Sequence, residues 1–69
     1  MNQYTEKPLG AYTIGDIDWE FGQFLETGAY YIKCLDYPGI SQTIWMAEDE
    51  KEARDSAMDF IDRFLDQNC

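Results

Sequence analysis

Histidine is absent from this sequence, and cysteine, basic residues and long apolar runs are scarce. Without histidine, the chain cannot build the Ser–His or Cys–His pair that activates a nucleophile. Its two cysteines, Cys34 and Cys69, match neither a zinc-binding spacing nor a disulfide framework, so we expect two unpaired thiols in a reducing compartment. No glycine-rich phosphate loop is present. The sequence therefore predicts a protein that is not an enzyme and that needs no metal or cofactor.

The chain also lacks the sequence features of membrane insertion and secretion. No run of about 18 apolar residues occurs, and residues 1–9 contain no apolar signal segment. Together with the unpaired thiols, this predicts a cytoplasmic location. At 69 residues, 45% of them hydrophobic, the chain can build one domain with a thin core, in which one sheet face packs against one helix.

The balance of charge is strongly acidic. Fourteen acidic residues oppose five basic ones, which gives a formal net charge of -9. Such a charge argues against direct contact with nucleic acid or an anionic membrane, because both are themselves negative. It favours a basic protein partner, while high solubility alone is the alternative explanation.

Strands are predicted in the first half of the chain. Residues 1–10 are polar and predict a mobile lead-in, so that residues 11–69 form the domain. Residues 11–14 predict a short strand. Three acidic residues then alternate with three apolar ones, a pattern typical of a strand with one wet and one buried face. The acidic residues are Asp16, Asp18 and Glu20, and the apolar residues are Ile17, Trp19 and Phe21. Gly22, directly after them, predicts a bulge or a weak point.

Two further strands are predicted at residues 29–35 and 40–46, after turns at residues 26–28 and 36–39. In the second turn, Pro38 fixes its φ near about -65°, and Gly39 accepts the positive φ that a type II turn requires. Consecutive strands joined by such short turns predict an antiparallel meander.

A C-terminal helix is predicted from about Asp49 to Gln67. Asp49 followed by Glu52 resembles a capping box, which marks the start of a helix. Apolar residues then recur at the helical period and form one stripe. They are Ala53, Ala57, Phe60, Ile61, Phe64 and Leu65. The predicted fold class is therefore α+β: an antiparallel sheet of three or four strands packed on one C-terminal helix.

Four aspartates form a second pattern on this helix, called here the acidic crest: Asp55, Asp59, Asp62 and Asp66. Their spacing places them on one helix face, where like charges four residues apart cost roughly 0.2–0.5 kcal/mol per pair. The crest spans about 16 Å along the axis, which is comparable with about five phosphates of one DNA strand. It could therefore imitate phosphates before a basic groove. The alternative is a solvated face that Arg63 and Lys51 partly neutralise.

Other surface residues are candidates for partner contact. Asp16, Asp18 and Glu20 would form a second acidic row on the outer face of the sheet, although ordinary outward-facing strand residues would give the same pattern. Tyr37 lies in a turn and could anchor a partner, because tyrosine and tryptophan dominate interface hot spots. Trp19 or Trp45 is expected to fill the contact between helix and sheet.

Three short motifs follow one another in the chain: Ala-Tyr-Tyr-Ile at residues 29–32, Asp-Tyr-Pro-Gly at residues 36–39 and Lys-Glu-Ala at residues 51–53. They resemble the Gly-Tyr-Tyr-Val, Asp-Leu-Pro-Gly and Glu-Glu-Ala motifs of the HicB antitoxin family. The resemblance covers about half of the chain. It implies a βββα core that binds a small basic RNase toxin and covers its active site. The Gly-Asp-Thr that the family usually places before the helix has no counterpart in residues 43–49.

These features predict a small inhibitory protein that acts by stoichiometric binding, as a monomer or homodimer. The partner would be a basic protein that handles nucleic acid: a toxin RNase for a HicB-like antitoxin, or a CRISPR effector subunit for a nucleic-acid mimic of the phage anti-CRISPR type, which this small acidic chain also resembles in general terms. The alternative is a structural or dimerisation module whose strands pair edge to edge and whose acidity serves solubility only.

Overall fold

A computed structural model of the chain describes residues 4–37 and 39–67. One antiparallel sheet holds four strands in chain order, and one helix follows it. The strands are β1 (Glu6–Ile14), β2 (Ile17–Phe24), β3 (Tyr30–Cys34) and β4 (Ser41–Ile44), and the helix is α1 (Glu50–Gln67). The predicted α+β fold is confirmed, with four strands. In the part of the chain that the structure describes, no helix is both long and apolar enough to cross a membrane.

The first strand starts nearer the N-terminus than the sequence predicts. The polar composition of residues 6–10 predicts a mobile lead-in, but these residues pair with the end of β2 and belong to β1. The pairing shifts register between Pro8 and Gly10, which places a bulge in β1. The prediction is wrong because Pro8 and Gly10, which normally mark loops, are tolerated at a bulge and on an edge strand.

Asp16 is predicted at the start of a strand but lies in the turn between β1 and β2. Gly15 and Asp16 have φ values of 64° and 61°, and Ile14 pairs directly with Ile17. Two successive residues with positive φ form the type I′ turn that joins the strands of a tight hairpin. Asp16 therefore lies at the tip of this turn and not in the row with Asp18 on the sheet.

Gly22 is not the site of the bulge, and its lack of a side chain has another reason. The residue is buried, and a Cβ atom at this position would collide with the phenol of Tyr31 and the carbonyl oxygen of Lys7. Glycine is thus required because two neighbouring strands approach this point closely.

The predicted turn before β4 is confirmed at its described residues, although Pro38 lies outside them. Gly39 has a φ of 96°, and the Ile40 N–H donates to the carbonyl of Tyr37 at 3.3 Å. A positive φ at the third residue and a bond between the first and fourth are the features of a type II turn.

The core lies between the inner sheet face and α1. Trp19, Phe21, Ile32 and Ile61 are fully buried, and the small residues of α1 at positions 53 and 57 let the helix approach the sheet. The ring of Trp19 meets the rings at positions 60 and 64 edge to face, at centroid distances of 6.3 and 5.5 Å. Of the two tryptophans considered for this contact, Trp19 fills it and Trp45 is 62% exposed.

Polar bonds near its N-terminal end fix the position of the helix. Asp49 is its N-cap, because its Oδ1 accepts a hydrogen bond from the Glu52 N–H at 2.8 Å. One turn later, the Arg54 guanidinium donates to the Tyr12 hydroxyl and to the Leu9 carbonyl of β1. These bonds hold the buried stripe of α1 on the sheet, so the opposite face of the helix points to solvent.

Candidate partner-binding site

The acidic crest lies on the solvent side of α1. All four crest side chains are exposed, whereas Ala53, Ala57 and Ile61 are buried against the sheet. At about 100° of rotation per residue, the crest stands opposite Ala57. The crest is thus an ordered row on a regular helix of 18 residues.

Few cations neutralise the crest. Arg63 Nη2 lies 3.1 Å from Asp59 Oδ2, and both side chains are more than half exposed, so this pair contributes little stability. Lys51, which the sequence offers as a partner for Asp55, forms no ion pair among the described residues. Within residues 4–37 and 39–67, three of the four crest carboxylates therefore lack a cationic partner.

Of the predicted second acidic row on the outer sheet face, Asp18 and Glu20 lie in β2 on the face opposite the core, but Asp16 does not. Asp16 is in the hairpin turn. Asp18 accepts a hydrogen bond from the Thr13 hydroxyl at 2.8 Å. Glu20 accepts one from the Tyr31 hydroxyl at 2.8 Å and lies 3.4 Å from Lys33 Nζ. The strand carboxylates are thus engaged with neighbouring strands.

A network of ion pairs and hydrogen bonds on the outer sheet face involves these carboxylates. Lys33 Nζ lies 2.6 Å from Glu6 as well as near Glu20, and the hydrogen bond to Glu6 is the main cause that raises the pKa of Lys33. Burial, and then the hydrogen bond to Glu20, raise the pKa of Tyr31 above its usual value. The Tyr31 ring also packs on Phe24 at 4.9 Å. The side chains at the centre of the outer face therefore bond to and pack on one another.

The other residues singled out in the sequence are Tyr37 and the two cysteines. Tyr37 is 52% exposed in its turn, a position that leaves its side chain open to a partner. Cys34 is a buried free thiol, and Cys69 lies outside the described residues. No group of three or more potential metal ligands occurs among the described residues.

One surface feature is not predicted by the sequence. A groove of about 400 Å³ runs between β4 and α1, and its lining includes Ile44, Trp45, Asp59, Phe60 and Arg63. Next to Trp45, Met46 is 87% exposed. The sequence places all these residues in a strand or a helix, but only the sheet order shows that β4 is an edge strand beside the helix.

Comparison of the chain with protein-family models, with curated proteins and with solved structures gives no match.

Proposed function

We propose that this chain is a small acidic inhibitor that occupies the basic, nucleic-acid-handling surface of a partner protein. The observation that supports the proposal is the acidic crest: four exposed aspartates in a row, three of them without a cationic partner among the described residues. Because each crest carboxylate has at least one other crest carboxylate three or four positions away, the row concentrates negative potential on one face.

The crest resembles a short stretch of one DNA strand in its length and in its number of negative charges. It spans about 16 Å on a single helix, and successive phosphates of a DNA strand are about 3.4 Å apart. A partner that binds nucleic acid through lysine and arginine would meet a similar number of negative charges over this distance. Binding would exclude the nucleic acid by occupying the same surface, without a chemical step.

Two kinds of partner suit this mechanism. One is a small basic RNase toxin, which the HicB-like motifs at residues 29–32, 36–39 and 51–53 imply. The other is a CRISPR effector subunit, as for an anti-CRISPR protein of the nucleic-acid mimic type. The exposed Tyr37 would add an apolar contact beside the charged ones in either case.

The test uses two pairs of variants that each remove two negative charges. Asp62→Asn with Asp66→Asn changes the crest, and Asp16→Asn with Glu48→Gln changes exposed carboxylates elsewhere. Immobilised wild type and both variants are exposed to host lysate at about 50 mM and about 300 mM salt, because exposed charge pairs are screened over this range. Excess RNA or DNA is then added as a competitor.

The proposal expects the wild type and the control variant to retain a basic nucleic-acid-binding protein that salt and nucleic acid both release. The crest variant should retain much less. Equal retention by the two variants would remove the crest from the site. Retention that is indifferent to salt and to nucleic acid would favour the alternative, a module that pairs through apolar contacts.

A further inference from the structure

The two edges of the sheet differ in how they are protected. Unpaired edge strands attract other strands, and proteins commonly block them with proline, lysine or bulges. The edge strand β1 contains Lys7 and Pro8, and its bulge lies between Pro8 and Gly10. The other edge strand, β4, is Ser-Gln-Thr-Ile and contains neither proline nor a charged residue. The sheet therefore has one blocked edge and one open edge.

The register shows which backbone groups of β4 are free. The Cys34 N–H donates to the Ile40 carbonyl at 2.9 Å, so these two residues form a hydrogen-bonded pair. Such pairs alternate with non-bonded pairs along an antiparallel ladder. Every second residue after Ile40 thus bonds to β3, whereas Ser41 and Thr43 point their N–H and C=O groups away from the sheet.

The side chains of β4 are neutral on both faces of the sheet. Ile32 belongs to the core and pairs with Gln42, so Gln42 and Ile44 face the helix side, where both line the groove beside α1. Ser41 and Thr43 face the outer side. A second β4 strand, antiparallel to the first, would repeat this arrangement. It would add an amide and an aliphatic side chain beside the groove, and two hydroxyl side chains that can bond across the strands on the outer face.

The charges that flank β4 are already paired within the chain. On the outer face, Lys33 of the adjacent strand pairs with Glu6 and Glu20. In the groove, Arg63 pairs with Asp59. A basic partner would therefore gain little attraction at this edge. A second copy of the chain, whose net charge is also -9, would meet less repulsion here than at the crest.

Exposed apolar surface also collects at this edge. Trp45 and Met46 directly follow β4 and are 62% and 87% exposed, the two highest values among the large hydrophobic residues that the structure describes. Both line the groove together with Ile44 and Phe60. A two-fold contact that includes these side chains would bury them in both copies at once.

We propose that two copies of this chain pair through antiparallel β4 strands and form a symmetric dimer with one continuous sheet, to which each copy contributes four strands. Backbone bonds of Ser41 and Thr43 would join the two strands. Because the β1 edge is blocked, the assembly ends at two copies and does not continue into a fibre. The two-fold axis is perpendicular to the sheet, so both helices lie on one face and both crests point to the same side. This dimer goes beyond the proposed function and does not depend on it.

The test measures self-association and the exposure of the edge together. Analytical ultracentrifugation and hydrogen exchange of the isotope-labelled chain are followed from about 10 µM to about 1 mM protein, because a contact of four strand residues per copy is small and we expect a dissociation constant of roughly 100 µM. Ser41 and Thr43 should exchange freely at the lowest concentration. At the highest they should exchange about fivefold more slowly, because about a fifth of the chains would then be monomeric.

Thr43→Pro tests the strand contact directly. The substitution removes an N–H that points out of the sheet and leaves the bonds between β4 and β3 in place, so the dimer should be lost. Thr43→Val keeps the N–H, is the matched control and should associate as the wild type does. The amide spectrum of Thr43→Pro at the lowest concentration checks its fold. If that variant does not fold, Gln42→Lys, which places a charge on the helix side of β4, takes its place and should also abolish the dimer.

Salt separates the dimer from the contact made by the crest. Two bodies that each carry a net charge of -9 repel one another, so raising the salt from about 50 mM to about 500 mM should tighten the dimer about tenfold. The same increase should release a basic partner from the crest. Asp62→Asn with Asp66→Asn should reduce the capture of that partner and leave the dimer at least as tight as in the wild type.

The outcomes separate this inference from the proposed function. A monomer at every protein and salt concentration would overturn the dimer and leave the charge mechanism of the crest in place. Association that persists in Thr43→Pro, or that leaves Ser41 and Thr43 unprotected, would assign the contact to another surface and overturn the pairing of β4. Protection of these two amides only after host lysate is added would overturn the second copy as the occupant.

Discussion

The solvent face of α1 and the outer face of the sheet both carry regularly spaced acidic residues, but fewer of those on the helix are bonded to neighbouring side chains. On the sheet, Glu20 binds Tyr31 and Lys33, and Asp18 binds Thr13. On the helix, one of the four crest aspartates has a cationic partner among the described residues. A regular row of carboxylates in a sequence therefore does not by itself predict how many of them are bonded to neighbouring side chains.

The geometry of the two elements explains the difference. Strands lie about 4.8 Å apart, so the neighbours of a strand residue include residues of other strands, which are distant in the sequence. A residue on the exposed face of a helix has neighbours only three and four positions away. In the crest these neighbours include other aspartates, and only Arg63 forms an ion pair with one of them among the described residues, so most of the crest charge remains available to a partner.

The largest effect is expected from a substitution that disturbs the sheet network. Gly22→Ala would place a methyl group against the Tyr31 phenol and the Lys7 carbonyl, and overpacking of this kind costs about 1–3 kcal/mol. Chemical denaturation would measure the loss in free energy of unfolding. Gly10→Ala is the matched control, because its methyl group would meet only the flexible Arg54 side chain, at 3.4 Å. A similar loss in both variants would show that strand propensity, and not the close approach of Tyr31, explains Gly22.

A smaller effect is expected when the bond between Tyr31 and Glu20 is removed. Tyr31→Phe keeps the ring on Phe24 but loses the hydroxyl, and we expect a cost of about 1 kcal/mol in free energy of unfolding. Tyr37→Phe is the control, because that residue is exposed in a turn and should be nearly neutral. If the two changes have the same effect, the outer network does not hold Glu20.

Burial of Tyr31 and its bond to Glu20, together with the bond of Lys33 to Glu6, make stability depend on alkaline pH. The pKa values of Tyr31 and Lys33 are raised in the folded protein, while both groups in an unfolded chain titrate near about pH 10. Their contribution is therefore complete below about pH 10 and is lost as the pH rises through the higher folded values. Denaturation curves above this pH should show a falling free energy of unfolding, with a weaker fall in Tyr31→Phe. An unchanged slope in that variant would contradict the assignment to Tyr31.

The smallest effect, and one of opposite sign, is expected on the crest. Asp62→Asn with Asp66→Asn relieves repulsion between residues four positions apart and near the negative end of the helix. We expect stability to rise by about 0.5 kcal/mol, measured by thermal unfolding at low salt. The change should vanish at high salt, where the charges are screened. A loss of stability would mean that these carboxylates have internal partners.

The sequence predicts the elements of this fold better than their contacts. The period of the apolar residues from Ala53 to Leu65 and the cap at Asp49 define α1, because both signals are local. The start of β1 is not predicted, because Pro8 is compatible with a strand only at an unpaired edge or a bulge. Whether a strand lies at an edge depends on the whole sheet, so a short segment of sequence does not reveal it.

At the candidate site, too, the sequence predicts the positions of the residues better than their contacts. The crest follows from helical spacing alone, and its four residues share a face as predicted. The second acidic row is wrong at Asp16, because a positive φ at two successive residues places this residue in a turn. Glu20 lies on the outer face, but its bonds to Lys33 and Tyr31 of β3 are not predicted. These cross-strand partners depend on register, which the sequence pattern does not determine.

The most direct measurement is a titration of the isotope-labelled protein with octa-arginine at low salt, followed through backbone amide shifts. If the crest is free and the sheet carboxylates are engaged, the amides around Asp59, Asp62 and Asp66 should shift at the lowest peptide concentrations. Those of Asp18 and Glu20 should stay in place. Equal shifts on both faces, or shifts that begin on the sheet, would contradict the claim that the free negative charge lies on the crest.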